Sequence, residues 1–370
     1  MNPVSFTIQK GNGYVQYAYD VASWIRLDEC QRHIAATPQP SGIRQKSRAP
    51  EYFDYSPPPL RVTVDGSSTT IGKWRTAPGV DLVLYDFGAV CVNYTIPFEG
   101  SLEELRELSY AIADTEALRN DSRKRIETLL ATIASATVKP NLVDLAEDYF
   151  IFQVLEWSGS CPVAEVPAAF SSLLAQILRS ESSPLSPEEV TDAISGKVSF
   201  SPDDLLLIDW NAALLFDPEA DDVRAVLEFA NVELVELRFL DSQLDRSLDG
   251  AYEILSQNTL RTFSRPGARA ADMRRVAQLQ VDGALLFERV SNALKLMGDQ
   301  YLARVYRLAS QRFRLSEWNA TILRKLDALE SIYQKLSDRA DARQMAILEW
   351  IIIALIAVST ILPFLPWYPH

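Results

Sequence analysis

The first part of the chain carries short runs of alternating or aromatic and β-branched residues, and the last part carries apolar positions at heptad spacing. Tyr14 to Val21 has the residues of a strand, and Leu27 to Ile34 predicts a short helix. Asp81 to Tyr85 and Ala89 to Tyr94 flank Asp86, Phe87 and Gly88, a tight turn in which glycine takes a positive φ. These runs predict a hairpin whose inner strand buries Val90 and Val92 or, in the other register, Cys91. Ser101 and Glu104 stand at capping-box spacing, which predicts a helix running to about Asn120. Tyr149 to Leu155 reads as a returning strand. The order strand, helix, hairpin, helix, strand resembles a split βαβ, ferredoxin-like sandwich and leaves other α+β arrangements open.

Two segments interrupt this pattern. Residues 35–59 hold Pro38, Pro40, Pro50 and the run Pro57 to Pro59, together with Arg44, Lys46 and Arg48, and read as a mobile basic linker without strand or helix. Residues 181–222 hold eleven acids against the single Lys197 and read as a solvated acidic connector, with a docking surface for a basic protein partner as the sharper alternative. Within it, Leu205 to Ile208 and Leu214 to Phe216 are apolar enough to pack on a neighbour. The mixed α/β domain is thus expected over 1–180 and the connector over 181–222.

Beyond Asp221, Leu227, Leu234, Leu248 and Leu255 share one heptad position. Ala230, Leu237, Leu244 and Ala251 share a second, and Asp241 interrupts the seam. This predicts a helix of about 35 residues. Ala271 to Leu296 is a further helical stretch, and Leu315, Trp318, Ile322, Leu329, Ile332 and Leu336 continue the spacing. Residues 223–344 therefore read as long antiparallel helices that close on each other, between protomers, or both. Leu227, Leu234, Leu237, Leu244, Leu248, Ile322, Leu329 and Leu336 are the expected seam.

Ala346 to Leu365 is a run of twenty residues in which only Glu349 is charged. At about 1.5 Å per residue it reaches about 30 Å, the hydrocarbon thickness of a bilayer. Trp350 at its start and Trp367 and Tyr368 beyond its end bracket it as interfacial aromatics do. The expectation is a transmembrane anchor that Glu349 and Trp350 carry into the bilayer, with a core helix or oligomer seam as its rival. Arg339 and Arg343 before the span put the large domain in the cytoplasm. The stretch MNPVSFTIQKGNG has no apolar signal-peptide region.

Composition narrows the chemistry. A net charge of −13 over 370 residues repels phosphate backbones, so nucleic acid is not an expected partner. Cys30, Cys91 and Cys161 are odd in number and far apart, which suits a reducing compartment and excludes a Cys-rich zinc site. The two histidines, His33 and His370, cannot assemble a histidine triad or metal cluster within one chain. Gly66 to Lys73 approximates a phosphate loop but has one residue too many between its glycines and Trp74 in place of a hydroxyl residue. Asp86, Phe87 and Gly88 spell the kinase magnesium tripeptide with none of its companion motifs. The pairs Asp203 with Asp204 and Glu233 with Glu236 read as ordinary surface acids, the latter as the wet face opposite Leu234 and Leu237. Asn93 to Thr95 and Asn319 to Thr321 match a glycosylation sequon that is inert in the cytoplasm. No catalytic, cofactor-binding or metal-ligating set emerges, and no cofactor is expected.

Four segments carry a resemblance. Asp81 to Val90 (DLVLYDFGAV), Ser172 to Leu178 (SLLAQIL), Glu236 to Arg238 with Leu244 and Asp245, and Arg343 to Ile356 resemble, in that order, motifs of a domain-of-unknown-function family. That family is found in yeast and human proteins named for a requirement in meiotic nuclear division. Val90 to Tyr94 lacks the family's Phe-Trp, and Ile177 and Leu178 replace its Ser-Val-Lys, so the chain is similar to a distant, bacterial-type member. The resemblance implies a membrane-associated, self-assembling protein without established catalytic residues. A membrane-anchored scaffold or assembly protein that forms a homo-oligomer through its helices is the leading expectation. A ligand-binding sensor or accessory subunit of a membrane transporter is the alternative.

Overall fold

The computed structural model describes residues 5–36, 44–45, 57–257, 274, 281 and 300–361. Two compact units divide the chain: Met1–Phe239 with Leu285–Asn319, and Leu240–Ala284 with Ala320–His370.

The first unit is built on a nine-stranded sheet. Its elements begin β1 (Phe6–Asp20), β2 (Ala22–Ile25), α1 (Leu27–Ala36), β3 (Arg44–Gln45), β4 (Leu60–Asp65), β5 (Thr70–Ile71), β6 (Trp74–Arg75), β7 (Gly79–Leu84) and β8 (Ala89–Ser101). They continue with α2 (Leu102–Ala113), α3 (Ala117–Thr132), β9 (Thr137–Pro140), β10 (Ala146–Gly159), α4 (Val166–Ala169), α5 (Ser171–Arg179) and α6 (Pro187–Ser195). β11 (Lys197–Val198), β12 (Leu205–Ile208), β13 (Ala212–Phe216), α7 (Asp221–Gln257), α8 (Gln300–Arg312) and α9 (Leu315–Ile361) complete the order. The strands lie β11-β12-β13-β10-β1-β8-β7-β4-β3, antiparallel throughout except for β10 beside β13. The fold is mixed α+β, as expected, but the ferredoxin-like arrangement gives way to this larger sheet.

The reason lies in strands that carry no alternation. Leu205–Ile208 and Ala212–Phe216 are apolar at every position and buried throughout, because both faces of the sheet are covered there. A strand buried on both faces loses the period of two that would announce it. The expected acidic connector therefore supplies α6 and three strands at one edge of the sheet. At the other edge Arg44 and Gln45 pair with Thr63 and Val62, a short strand inside the expected linker. The rest of that linker, 37–43 and 46–56, lies outside the described residues.

The hairpin and the capping box stand as the sequence placed them. Gly88 has φ +105° and an added Cβ would lie 1.6 Å from the Ala22 carbonyl oxygen, while the Val21 amide donates to the Gly88 carbonyl at 2.9 Å. Only glycine allows β2 to approach so closely. Val90, Cys91 and Val92 are all fully buried, so the choice between registers dissolves: both faces of β8 are covered. Ser101 caps α2 reciprocally with Glu104. That helix stops at Ala113 rather than near Asn120, and α3 restarts after the Thr115 hydroxyl accepts the Ala117 amide at 3.3 Å. A side-chain acceptor of this kind competes with the helical ladder.

The two faces of the sheet differ in chemistry. Ile8, Val15, Tyr17 and Tyr19 of β1, Val90, Val92, Tyr94 and Ile96 of β8, and Phe150, Phe152 and Val154 of β10 join Leu105, Leu108, Ile126 and Ile177 in one apolar core under α2, α3 and α5. Each such side chain contributes about 1.5–3 kcal/mol when fully buried. The alternate positions, including Gln16, Asp20, Asn93, Glu147 and Gln153, are equally buried on the opposite face.

In the second unit, α7 continues through Leu240, Leu244, Ser247 and Ala251, all buried, and α9 buries Ile322, Leu326, Leu329 and Ile332. Lys325 joins the helices, 2.7 Å from Asp241 and 2.6 Å from Asp245, so the acid that interrupts the leucine seam has its counterion. Leu329→Asp is expected to lower the thermal midpoint of this unit, at a cost on the order of 3 kcal/mol for lost packing and a buried unpaired charge. The exposed Leu323, mutated identically, should shift it by under about 0.5 kcal/mol. Equal midpoints for the two variants would show that the stripe is not packed.

Among the described residues, no helix is long and apolar enough to cross a membrane. The described apolar part of α9, Ala346 to Ile361, spans about 24 Å at 1.5 Å per residue, short of the about 30 Å of a hydrocarbon core. Leu362 to Leu365 lie outside the described residues, as does the expected helix from Ala271 to Leu296 apart from Arg274 and Val281.

Candidate functional site

From Ala225 to Glu233 every residue of α7 is buried, so this stretch has no wet face. Yet it carries Glu228, Asn231 and Glu233, with Glu236 just beyond, at 3%, 1%, 2% and 8% exposure. The expectation that Glu233 and Glu236 face water is corrected: both are enclosed in the first unit. A helix covered on all sides must satisfy its polar groups internally, and the second face of the sheet supplies the partners.

Glu228 is the most heavily bonded of them. Its carboxylate receives the Arg61 guanidinium at 3.1 Å, the Tyr85 hydroxyl at 2.9 Å and the Asn93 amide at 2.8 Å. Three strands, β4, β7 with its turn, and β8, thereby converge on one side chain. The nearby Glu228 charge raises the Arg61 pKa, and burial followed by the same charge raises Tyr85 and Cys91 well above their usual values. Glu228 is thus the point at which α7 is tied to the sheet, and Cys91 is an inert thiol. Asn93, the first residue of one sequon, is committed to this cluster.

Further along α7 the chemistry changes from ion pairing to proton storage. Asp20 of β1, 5% exposed, is hydrogen-bonded to Glu236, and burial pushes its pKa up to about 8. Glu147 of β10 pairs with Arg238 and its backbone carbonyl receives the Asn231 amide at 3.2 Å; burial still lifts its carboxyl to about 7. Glu233 accepts the Tyr306 hydroxyl of α8, and burial raises it to about 7 as well. Three buried carboxyls, one each on β1, β10 and α7, therefore titrate near neutrality where the sheet meets that helix. Such a row can take up and release protons; it has no nucleophile activated by a base.

A second ionic cluster fastens α5, α6, β12 and α8. The Arg179 guanidinium lies 2.9 Å from the fully buried Asp209 and 2.6 Å from Asp192, and Arg312 lies 3.1 Å from Asp192. Arg179 also pairs with Glu189. These acids of the 181–222 segment already have basic partners within the chain. Asp204 accepts the amides of Phe200 and Ser201 at 3.0 and 2.6 Å and so shapes a turn. Lys73, the residue of the loop resembling a phosphate site, pairs with Glu104 at 2.7 Å.

The seam residues fall in two places. Leu227 and Leu237 are buried in the first unit and Leu234 is half-buried there; Leu244, Ile322 and Leu329 are buried in the second, with Leu248 half-buried. The Leu336 side chain lies outside the described residues. Glu349 and Trp350 are exposed, Trp350 at 71%. Among the described residues no three His, Cys, Asp or Glu side chains converge to hold a metal ion.

The model of a family described as uncharacterized protein MJ0711, N-terminal domain, matches residues 10–222, more than half of the chain. The chain belongs to that family. A similar protein, uncharacterized protein MJ0711 of Methanocaldococcus jannaschii, is 24% identical over 246 residues, covering 64% of this chain and 71% of that protein. No solved structure matches. The family's span takes in nearly the whole sheet and ends as α7 begins, so Asp20, Arg61, Asn93 and Glu147 lie within it and their partners on α7 lie beyond it.

Sequence reading missed Asp20, Arg61, Glu147 and Glu228. The available signal was the density of Val, Ala, Leu and Phe around Glu228 and Glu233, which leaves no stripe for solvent.

Proposed function

We propose that this protein is a membrane-anchored, self-assembling scaffold, whose α/β unit is the working part and whose last helix holds it at a bilayer. One observation carries this reading. Met345, Leu348, Trp350, Ile351, Ile352, Ile353, Leu355 and Ile356 are all 49% or more exposed, and four of them are consecutive. Consecutive residues are 100° apart on a helix, so the apolar surface runs around the whole circumference. A helix that is apolar on every side belongs in apolar surroundings. Ala346 to Leu365 together supply the length, with Glu349 and Trp350 at the headgroup level. The likeness of Arg343 to Ile356 to the ending of the meiotic nuclear division family favours the same reading, as do the leucine stripes for assembly.

The full chain, expressed in cells, is expected to stay with the membrane pellet through alkaline carbonate washing and to crosslink into multimers in detergent. Leu355→Lys with Ile356→Lys should release it, since each lysine costs about 3 kcal/mol near the middle of a span. Release of the unmodified chain by carbonate, together with crosslinks limited to monomer, would overturn the reading.

A second reading, a ligand-responsive sensor or transporter subunit, is favoured by a pocket of about 210 Å³ between α1, α3 and the β4–β7 edge of the sheet.

A further inference from the structure

We infer that this pocket binds a small amphiphilic anion, a molecule with an apolar body and one anionic head. The inference deepens the sensor reading by naming the ligand class of its site. The walls are Ile34 of α1, Val62 and Val64 of β4, Leu82 of β7 and Leu129 of α3, and the mouth is set by Lys124, Arg125, Thr128 and Thr132. A volume of about 210 Å³ far exceeds the ~10–15 Å³ that one water needs. Water against five aliphatic side chains finds few hydrogen-bond partners, so an apolar body that displaces it gains free energy.

The mouth selects the head. Thr128 donates its hydroxyl to the Lys124 carbonyl at 2.9 Å and Thr132 donates to the Thr128 carbonyl at 3.0 Å, so both protons are committed to the helix backbone. What remains to hold a head group is positive. Arg125 is held in place by Asp121, with Nε 2.6 Å from its carboxylate, and Asp121 also takes the Tyr94 hydroxyl at 2.7 Å. Lys124 stands exposed one residue away. Two cations against one acid, at the rim of an aliphatic pocket, complement an anion and repel an amine.

Isothermal titration of the full chain in amphipol tests this with octanoate, butyrate and octylamine. Octanoate is expected to bind saturably at one site, and butyrate about two-hundredfold more weakly because it lacks four methylenes. Octylamine should not bind. Lys124→Glu should weaken octanoate about fivefold. Thr128→Trp, at an exposed helix position over the mouth, should abolish binding without moving the thermal midpoint. Absence of saturable octanoate binding, equal binding of octylamine, or undiminished binding to the Thr128→Trp variant would each overturn the inference. Octanoate binding that leaves the pattern of multimer crosslinks unchanged upholds the site and removes the sensor reading alone.

Discussion

Glu228→Ala is expected to destabilise the first unit by about 3–5 kcal/mol, as removal of one partner from a buried ion pair does. Glu228 is 4% exposed in its side chain and Arg61 25%, so the arginine left behind retains only partial access to water. The loss does not end there. The Tyr85 hydroxyl and the Asn93 amide also lose their acceptor, and a buried donor without one costs about 1–3 kcal/mol. Against a total stability of roughly 5–15 kcal/mol this is a large share. Replacing both charges, Arg61→Met with Glu228→Met, should recover part of it, because no uncompensated charge remains. Urea unfolding at pH 7 reads the difference. A loss under about 1 kcal/mol for Glu228→Ala would mean that the cluster is not the anchor of α7 on the sheet.

The second large effect is a fall in stability as pH rises. Asp20 has its carboxyl raised from 3.8 to about 8, and Glu147 and Glu233 are raised from 4.5 to about 7. Between these values the folded protein holds protons that the unfolded chain has released. The contribution of these three groups is therefore fully present below about pH 4, declines through neutrality and is lost above about pH 8. Each proton so held contributes a slope of about 1.4 kcal/mol per pH unit, steepest between about pH 5 and 7 where all three act together. Glu104 and Asp192 work in the opposite sense, since Lys73 and Arg312 lower their pKa values. Their contributions are lost only as pH falls below the ordinary carboxylate range. Glu236 of α7 is hydrogen-bonded to Asp20, and Asp20→Asn keeps the shape without the titrating proton. Guanidinium unfolding of this variant from pH 4 to 8 should show a shallower decline than the unmodified chain. An unchanged slope would exclude Asp20 as a proton store.

Elements with a local cause were legible in the sequence. The Asp86 to Gly88 hairpin, the Ser101 cap, α1 and the long α7 depend on turn chemistry, reciprocal capping and helical period, which neighbouring residues express by themselves. The sheet was read too small because β12 and β13 are apolar on both faces and so look like any buried run. The acids of 181–222 looked like a solvated stretch because their partners, Arg179 and Arg312, lie outside it in sequence. Glu233 and Glu236 were assigned to water for the same reason. Their spacing on α7 is that of an ordinary amphipathic helix, and only the closure of β1, β10 and α8 around it removes the solvent.

The amino-acid sequence by itself determined the α+β class, the helical heptads and the apolar run that ends in α9, all of which follow from residue spacing and composition. Tertiary structure alone decided which acids are ion-paired, which store protons and where a pocket opens. Those properties depend on groups distant in sequence, such as Arg61 with Glu228 and Asp20 with Glu236. Desolvation, which sets both the strength of the pairs and the direction of each titration, exists only once the sheet and α7 have closed on each other.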